Sequence, residues 1–236
     1  MISKATNDFG KFDFDNGEVI LIDKDADKSS FNIVHRLRKI TGVKKIGHAG
    51  TLDPKATGLL ILCTGKKTKE ISKFQDLKKV YSGIITLGKK TSSMDSETET
   101  LEEKSTVDIT PEKIEEVRKT FLGKIMQLPP MYSAIKHKGK SLYKYARKGV
   151  EIERQLREVE IYDFEITKYI EPDVYFKITC SKGTYIRVIA DDFGNKLGCG
   201  GYLKKLRREA IGEYSVENAY TIDEFEKKFN SIMVSR

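Results

Sequence analysis

The chain is poor in the residues that build disulfide and metal frameworks: three cysteines and three histidines in 236 residues. Cys63, Cys180 and Cys199 are odd in number and far apart, and the first two lie in apolar, strand-like runs. No disulfide framework is implied, and a reducing compartment fits. His35, His48 and His137 are scattered, and no Cys/His group has ligand spacing, so no metal is expected. The glycines miss the phosphate-loop pattern, because no Gly-Lys-Ser/Thr follows at the right distance. The N-terminus lacks an apolar signal core, and no apolar run approaches the length of a membrane span. A soluble, cytoplasmic protein with no membrane association is expected. No internal repeat is present.

Positive charge, by contrast, is abundant. The formal net charge is +8, and 33% of the residues are charged. That balance points to polyanions, nucleic acid first. Enough Ile, Leu, Val, Phe and Tyr remain for a core, which excludes general disorder.

Residues 1–16 are polar and read as a loose lead-in. A strand is predicted over 18–24, then a helix capped by Ser29 or Ser30 with Phe31, Val34, Leu37 and Ile40 at three-residue spacing, ended by Gly42. A short helix over 68–74 and an alternating strand over 79–87 follow. Residues 89–105 crowd Thr, Ser, Glu and Asp without apolar periodicity and read as an exposed connection. Thr110 and Pro111 open a helix with Ile114, Val117 and Phe121 on one face. Further on come a helix over 141–148, a hairpin of strands over 159–170 and 173–181, a helix over 184–197, extended chain over 202–214, and a last helix over 222–229. Hairpin pairs with interspersed helices favour an α+β fold over repeating βαβ units.

The most informative stretch is residues 47–65, Gly-His-Ala-Gly-Thr-Leu-Asp-Pro-Lys-Ala-Thr-Gly-Leu-Leu-Ile-Leu-Cys-Thr-Gly. It sets His48 and Asp53 in a glycine-punctuated loop that runs into an apolar strand. Pro54 biases Asp53 toward extended backbone and keeps its carboxylate out of a helix. A reactive carboxylate on a rigid base and an ordinary Asp-Pro turn both fit this pattern, as do a functional and a structural His48. A metal-dependent hydrolase using His48 and Asp53 is a weaker reading.

Residues 136–157 hold Lys136, Lys138, Lys140, Lys144, Arg147, Lys148, Arg154 and Arg157, interleaved with Tyr143 and Tyr145 and preceded by Tyr132. Such a strip can grip phosphates and stack on unpaired bases, and it can equally be a solvated helix face. Gly183 permits a sharp turn into the helix that carries Arg187, which fits either a partner for a carboxylate elsewhere in the fold or, more commonly for a single arginine, a surface residue of a capped helix.

Taken together these segments closely resemble the TruB family of tRNA pseudouridine synthases. The resemblance rests on Gly-His-Ala-Gly-Thr-Leu-Asp-Pro-Lys-Ala-Thr-Gly at 47–58, Lys-Val-Tyr at 79–81, and Leu-Pro-Pro-Met-Tyr-Ser-Ala-Ile-Lys at 128–136. It continues in Gly-Lys-Ser-Leu-Tyr-Lys-Tyr-Ala-Arg-Lys-Gly at 139–149, Cys-Ser-Lys-Gly-Thr-Tyr-Ile-Arg at 180–187, and Gly-Gly-Tyr-Leu-Lys-Lys-Leu-Arg-Arg at 200–208. These blocks are colinear, and the likeness extends over about residues 18–214.

The resemblance implies a pseudouridine-synthase fold: a central mixed, largely antiparallel sheet flanked by helices, with a thumb-like RNA-binding insert at about 128–157. It implies one catalytic domain over 1–236 and isomerisation of uridine 55 in the tRNA T-loop, without cofactor or metal. By the same likeness Asp53 is the catalytic carboxylate, Arg187 its counter-ion, and Tyr81 the ring that stacks on the target base. His48 helps to turn the nucleotide out, and Leu206 lines the pocket. Lys24, Tyr185, Lys136, Lys140, Tyr143, Arg147 and Arg154 are expected RNA contacts, the partner being the tRNA T-stem-loop bound by a monomer. A protein whose main role is to remodel the T-arm is the alternative.

The chain departs from the family pattern at Asp25–Lys28, where a proline and glycine are usual, and at Glu153, where a thumb proline is common. No C-terminal PUA domain is expected, which argues against the guide-RNA-dependent relatives.

Overall fold

The computed structural model describes residues 1–6 and 12–233, with side chains through residue 231. The chain forms two compact units, Met1–Tyr81 with Arg207–Arg236, and Ser82–Leu206. The expected loose lead-in falls partly outside the described residues, at 7–11. Where described it is not loose. Ile2 is fully buried, its N–H donates to the Val19 carbonyl at 2.7 Å, and its own carbonyl accepts from Leu21 at 3.0 Å.

In the first unit, β1 (Val19–Lys24) leads into α1 (Ser30–Thr41). Ser29 caps α1 by accepting the Asn32 N–H at 3.1 Å, and the Asn32 side chain accepts from the Ser29 N–H at 2.8 Å. Gly42 ends the helix in the left-handed conformation (φ 75°), which glycine adopts without a Cβ penalty. Of the predicted face, Val34 and Leu37 are buried and Ile40 packs against the same core, and Phe31 alone of the four points away. Ser30, Ile33, Val34 and Leu37 are buried, whereas Phe31 is 63% exposed. A strict three-residue spacing falls short of the 3.6-residue turn, so positions 31 to 40 rotate about the helix, while 30, 33, 34 and 37 stay on one side.

Next come β2 (Ile46–His48), β3 (Thr57–Thr64), a 3-10 turn at Gly65–Glu70 and α2 (Ile71–Gln75). β3 pairs antiparallel with β1 and with β2. Its side chains alternate between two cores. Leu60 and Leu62 join Ile20, Ile22, Ile33, Leu37 and Phe225 on one face. Leu59, Ile61 and Cys63 join Val19, Leu21, Phe74 and Ile211 on the other. A strand covered on both faces needs an unbroken apolar run, which is why this one was legible as a strand.

β4 (Lys79–Leu87) begins in the first unit and continues in the second. There follow β5 (Lys89–Thr91), β6 (Thr100–Glu103), α3 (Pro111–Lys119) and β7 (Gly123–Gln127). The short elements β8 (Lys136–His137), β9 (Lys140–Ser141) and α4 (Leu142–Ala146) come next. β10 (Arg157–Ile170), β11 (Asp173–Cys180), α5 (Ile186–Lys196) and β12 (Gly201–Ile211) complete this half of the chain. β10 pairs antiparallel with β7 and with β11, and β4 lies beside β11. Phe121, Phe164, Phe176 and Phe193 contact one another as an aromatic core. Helix α5 approaches the start of β12 closely at Gly194, where a Cβ would lie 2.1 Å from the Gly200 backbone.

Residues 89–105 are not the featureless exposed connection that was expected. β5 and β6 form a hairpin, and Thr91, Ser93 and Asp95 within the segment are buried. Its buried groups satisfy one another: Ser93 Oγ donates to Asp95 Oδ1 at 2.6 Å, and Thr91 Oγ1 to the Asp95 carbonyl at 2.7 Å. Polar burial of this kind has no apolar period to read.

β12 re-enters the first unit at Arg207 and pairs parallel with β3, Arg207 opposite Thr57 and Arg208 opposite Gly58. β13 (Tyr214–Ser215) folds back on it, β14 (Tyr220–Thr221) pairs parallel with β1, and α6 (Ile222–Met233) packs beside α1. The result is the expected mixed α+β architecture, with parallel and antiparallel pairs in the sheet and helices flanking it.

Candidate active site

Asp53 sits half-buried in the loop between β2 and β3 of the first unit, and that loop is fastened on both sides of it. Before it, buried Ser30 accepts the Leu52 N–H at 2.9 Å and donates to the Leu52 carbonyl at 3.1 Å. After it, Lys24 Nζ donates to the Pro54 carbonyl at 3.2 Å, and that carbonyl also accepts the Asp27 N–H at 2.9 Å. Arg208, 1% exposed, donates through Nε to the Leu59 carbonyl at 2.7 Å and through Nη2 to that of Gly50 at 3.2 Å. The carboxylate is thus presented from a fixed backbone, as a reactive group needs.

Gly58 is required for this arrangement. At φ 105° it lies against Arg208, whose carbonyl oxygen would be 2.3 Å from an added Cβ. Gly58→Ala is expected to destabilise the protein by about 3 kcal/mol or more, because strain and overlap with backbone add together. Denaturant unfolding measures this, and a loss below about 1 kcal/mol would show that the pairing yields.

Lys24, expected to contact RNA, is fully buried. Its ammonium donates to the carbonyls of Asp25 at 2.9 Å, Lys28 at 2.7 Å and Pro54. Those bonds hold the Asp25–Lys28 turn, which lacks the usual proline and glycine, against the Asp53 loop. As placed, Lys24 organises the loop and is not offered to a phosphate. Burial lowers its pKa to about 8, against the pull of Asp25 and Asp53. The unfolded chain, with the ordinary value near 10.5, therefore binds more protons between pH 8 and 10.5, and stability contributed at this site rises across that window. Relative to Lys24→Met, the wild type is expected to gain about 1–2 kcal/mol from pH 8 to pH 10 in urea unfolding. A constant difference would refute the burial account.

His48 ends β2, and its Nδ1 is buried without a hydrogen-bond partner. Burial pushes its pKa down, a contact with the Gly50 backbone opposes this, and the Arg208 charge reinforces it. Burial thus favours the neutral ring. Tyr81, at the end of the first unit's share of β4, is 8% exposed.

The second unit holds the other expected residues. Arg187, on the first turn of α5, is 4% exposed. Its Nη1 donates to the Tyr132 carbonyl at 2.9 Å and lies 3.7 Å from Asp95 Oδ2. Asp95 was not singled out in the sequence, since its segment carries no apolar pattern. Gln127 was missed too. Its side chain accepts the Tyr185 N–H at 2.7 Å and donates to the Tyr185 carbonyl at 3.1 Å, anchoring the residue that precedes α5. Tyr185 and Leu206 are half-buried.

Within the insert, Lys136, Lys140 and Arg147 are exposed and Tyr143 is half-buried beneath the Arg147 guanidinium, 5.2 Å from the ring centre. Arg154, expected to contact RNA, is engaged within the insert. It donates to the carbonyls of Ile152 at 3.1 Å and Pro129 at 3.2 Å and to Glu151 at 2.6 Å, tying the two ends of the insert together. Among the described residues no group of three or more His, Cys, Asp or Glu is arranged to hold a metal, and no helix is long and apolar enough to cross a membrane.

The fold is that of the pseudouridine synthases. A crystal structure of a Cbf5–Nop10–Gar1 complex matches 91% of this chain with a TM-score of 0.70 at 28% identity. A structure of an H/ACA RNP bound to a substrate RNA containing 2'-deoxyuridine matches 94% at 0.71 and 25% identity. This chain spans only 54% and 56% of those chains, respectively.

The family model for the TruB family pseudouridylate synthase N-terminal domain matches residues 38–186, and that for the tRNA pseudouridylate synthase B C-terminal domain matches 187–232. The chain belongs to the TruB family of pseudouridylate synthases. The tRNA pseudouridine synthase B of Chloroherpeton thalassium is 50% identical over 218 residues, covering 90% of both chains. That of Flavobacterium johnsoniae is 48% identical over 218 residues, covering 89% of this chain and 95% of its own.

Proposed function

We propose that this protein isomerises uridine 55 in the T-loop of tRNA to pseudouridine, with Asp53 as the catalytic carboxylate. The observation that carries the reading is the half-buried Asp53 on a loop fastened by Ser30, Lys24 and Arg208, in a chain so close to named tRNA pseudouridine synthases. The reaction breaks the N1–C1' bond of uridine and joins C5 of the same base to C1'. The proton displaced from C5 leaves, and N1 gains one. No atom is added and nothing is oxidised. An ionised Asp53 serves as nucleophile or base.

In this reading residues 1–236 act as one catalytic domain, with 128–157 as its RNA-binding insert. Arg187 is the counter-ion of Asp53, Tyr81 stacks on the target base, and Leu206 shields the site from water. Turning the base out costs a few kcal/mol, which stacking and hydrogen bonds return. A neutral His48 suits a role in that step, since an uncharged ring can fill space within the RNA stack. Exposed Lys136, Lys140 and Arg147 supply salt-sensitive phosphate contacts. Incubation of the purified protein with unmodified tRNA transcript, followed by pseudouridine mapping, tests the proposal. Product at position 55 is expected, and its absence would overturn it.

A further inference from the structure

The insert and the loop between β5 and β6 meet in the second unit through a closed ring of contacts. Tyr143 on α4 donates its hydroxyl to Glu97 Oε1 at 3.0 Å. The Glu97 N–H donates to Asp95 Oδ1 at 2.9 Å. Asp95 Oδ2 faces Arg187 Nη1 at 3.7 Å, and that nitrogen donates to the Tyr132 carbonyl at 2.9 Å. Tyr132 returns to Tyr143 through an edge-to-face contact, ring centres 5.9 Å apart.

The insert has little means of fixing itself. Its α4 has five residues and its strands β8 and β9 two each, lengths at which neither helix nor hairpin is stable alone. Arg154 ties its ends, as described above. Its middle is held to the hairpin loop by Glu97, whose side chain makes one hydrogen bond among the described residues, the one to Tyr143. A carboxylate acceptor gives that bond charge assistance.

We propose that Glu97 is a positioning residue: it latches the insert through Tyr143 and so keeps the Tyr132 carbonyl on the Arg187 guanidinium. Its catalytic part rests on the proposed function, in which Arg187 serves the reaction. Its structural part stands without it. RNA binding and the setting of Arg187 are then coupled, because the same insert takes part in both.

The test uses the full chain with Glu97→Ala, Tyr143→Phe, their double variant and Glu97→Gln. Two readouts are taken. One is hydrogen exchange, without RNA, of the Leu142 and Tyr143 amides, which bond to the carbonyls of Ile135 at 2.8 Å and Ser133 at 3.1 Å. The other is kcat and KM on unmodified tRNA transcript. Each single variant is expected to speed exchange about three- to tenfold and to lower kcat by a similar factor, with KM moving less. The double variant should be no worse than the singles, because one bond is lost in all three. Glu97→Gln keeps an acceptor oxygen and should restore most of both. Unchanged exchange in the single variants would overturn the latch. Faster exchange with unchanged kcat, or multiplying effects in the double variant, would overturn the positioning role. If the wild type makes no pseudouridine, the functional reading fails by itself, and the exchange result alone decides the latch.

Discussion

Asp53→Asn is expected to reduce pseudouridine formation by at least about 10³-fold while leaving tRNA binding within about a factor of two. Asparagine has the shape of aspartate but cannot act as nucleophile or base at the sugar. The loop's fastenings at the backbone of Leu52 and Pro54 remain in the variant. Binding by filter retention and turnover by pseudouridine mapping separate the two effects. A variant that stays active would remove Asp53 from the chemistry. One that loses binding along with activity would mean that the carboxylate organises the site and does not react in it.

Arg187→Ala is expected to lose both stability and activity. The guanidinium is 4% exposed and lies between the Tyr132 carbonyl and Asp95, itself 6% exposed. Removing one member of a buried pair leaves the other charged in a poor dielectric, at a cost of about 3–5 kcal/mol. Asp95 keeps bonds from Ser93 Oγ and the Glu97 N–H, which places the expectation toward the lower end. For a chain of this length each kcal/mol lowers Tm by about 2–4 °C, so a drop of roughly 6–12 °C is expected by calorimetry. Arg187→Lys keeps a charge but not the planar fork that reaches two acceptors in fixed directions. It should recover most of the stability and little of the activity. Full activity in the lysine variant would show that charge alone is needed.

The positions of these residues were legible to different depths. Runs such as Val19–Ile22 and Leu59–Leu62 announce strands covered on both faces, and Ser29 with Gly42 marks both ends of α1. Such signals are local: a side chain's period, a cap's hydrogen bond and a glycine's backbone freedom act within a few residues of chain. Phe31 shows the limit even there, because its place on α1 depended on which side of the helix met the sheet. The site divides in the same way. The loop holding His48 and Asp53, the helix holding Arg187 and the basic insert were all visible as motifs, and they carried the family resemblance.

What the motifs could not convey was which charged groups are put to structural use. Lys24 and Arg154 look like phosphate contacts in the sequence, yet one is buried against three carbonyls and the other joins the two ends of the insert. Asp95, Glu97 and Gln127 lie in polar or short segments that give no periodic signal, and they meet their partners across tens of residues. Chemistry written as residue type and spacing, the Asp-Pro turn, the glycines and the apolar strand behind them, is set by the chain alone. Whether a given charge faces water, a carbonyl or another charge is set by desolvation and by contacts between distant segments, and those exist only once the chain has folded.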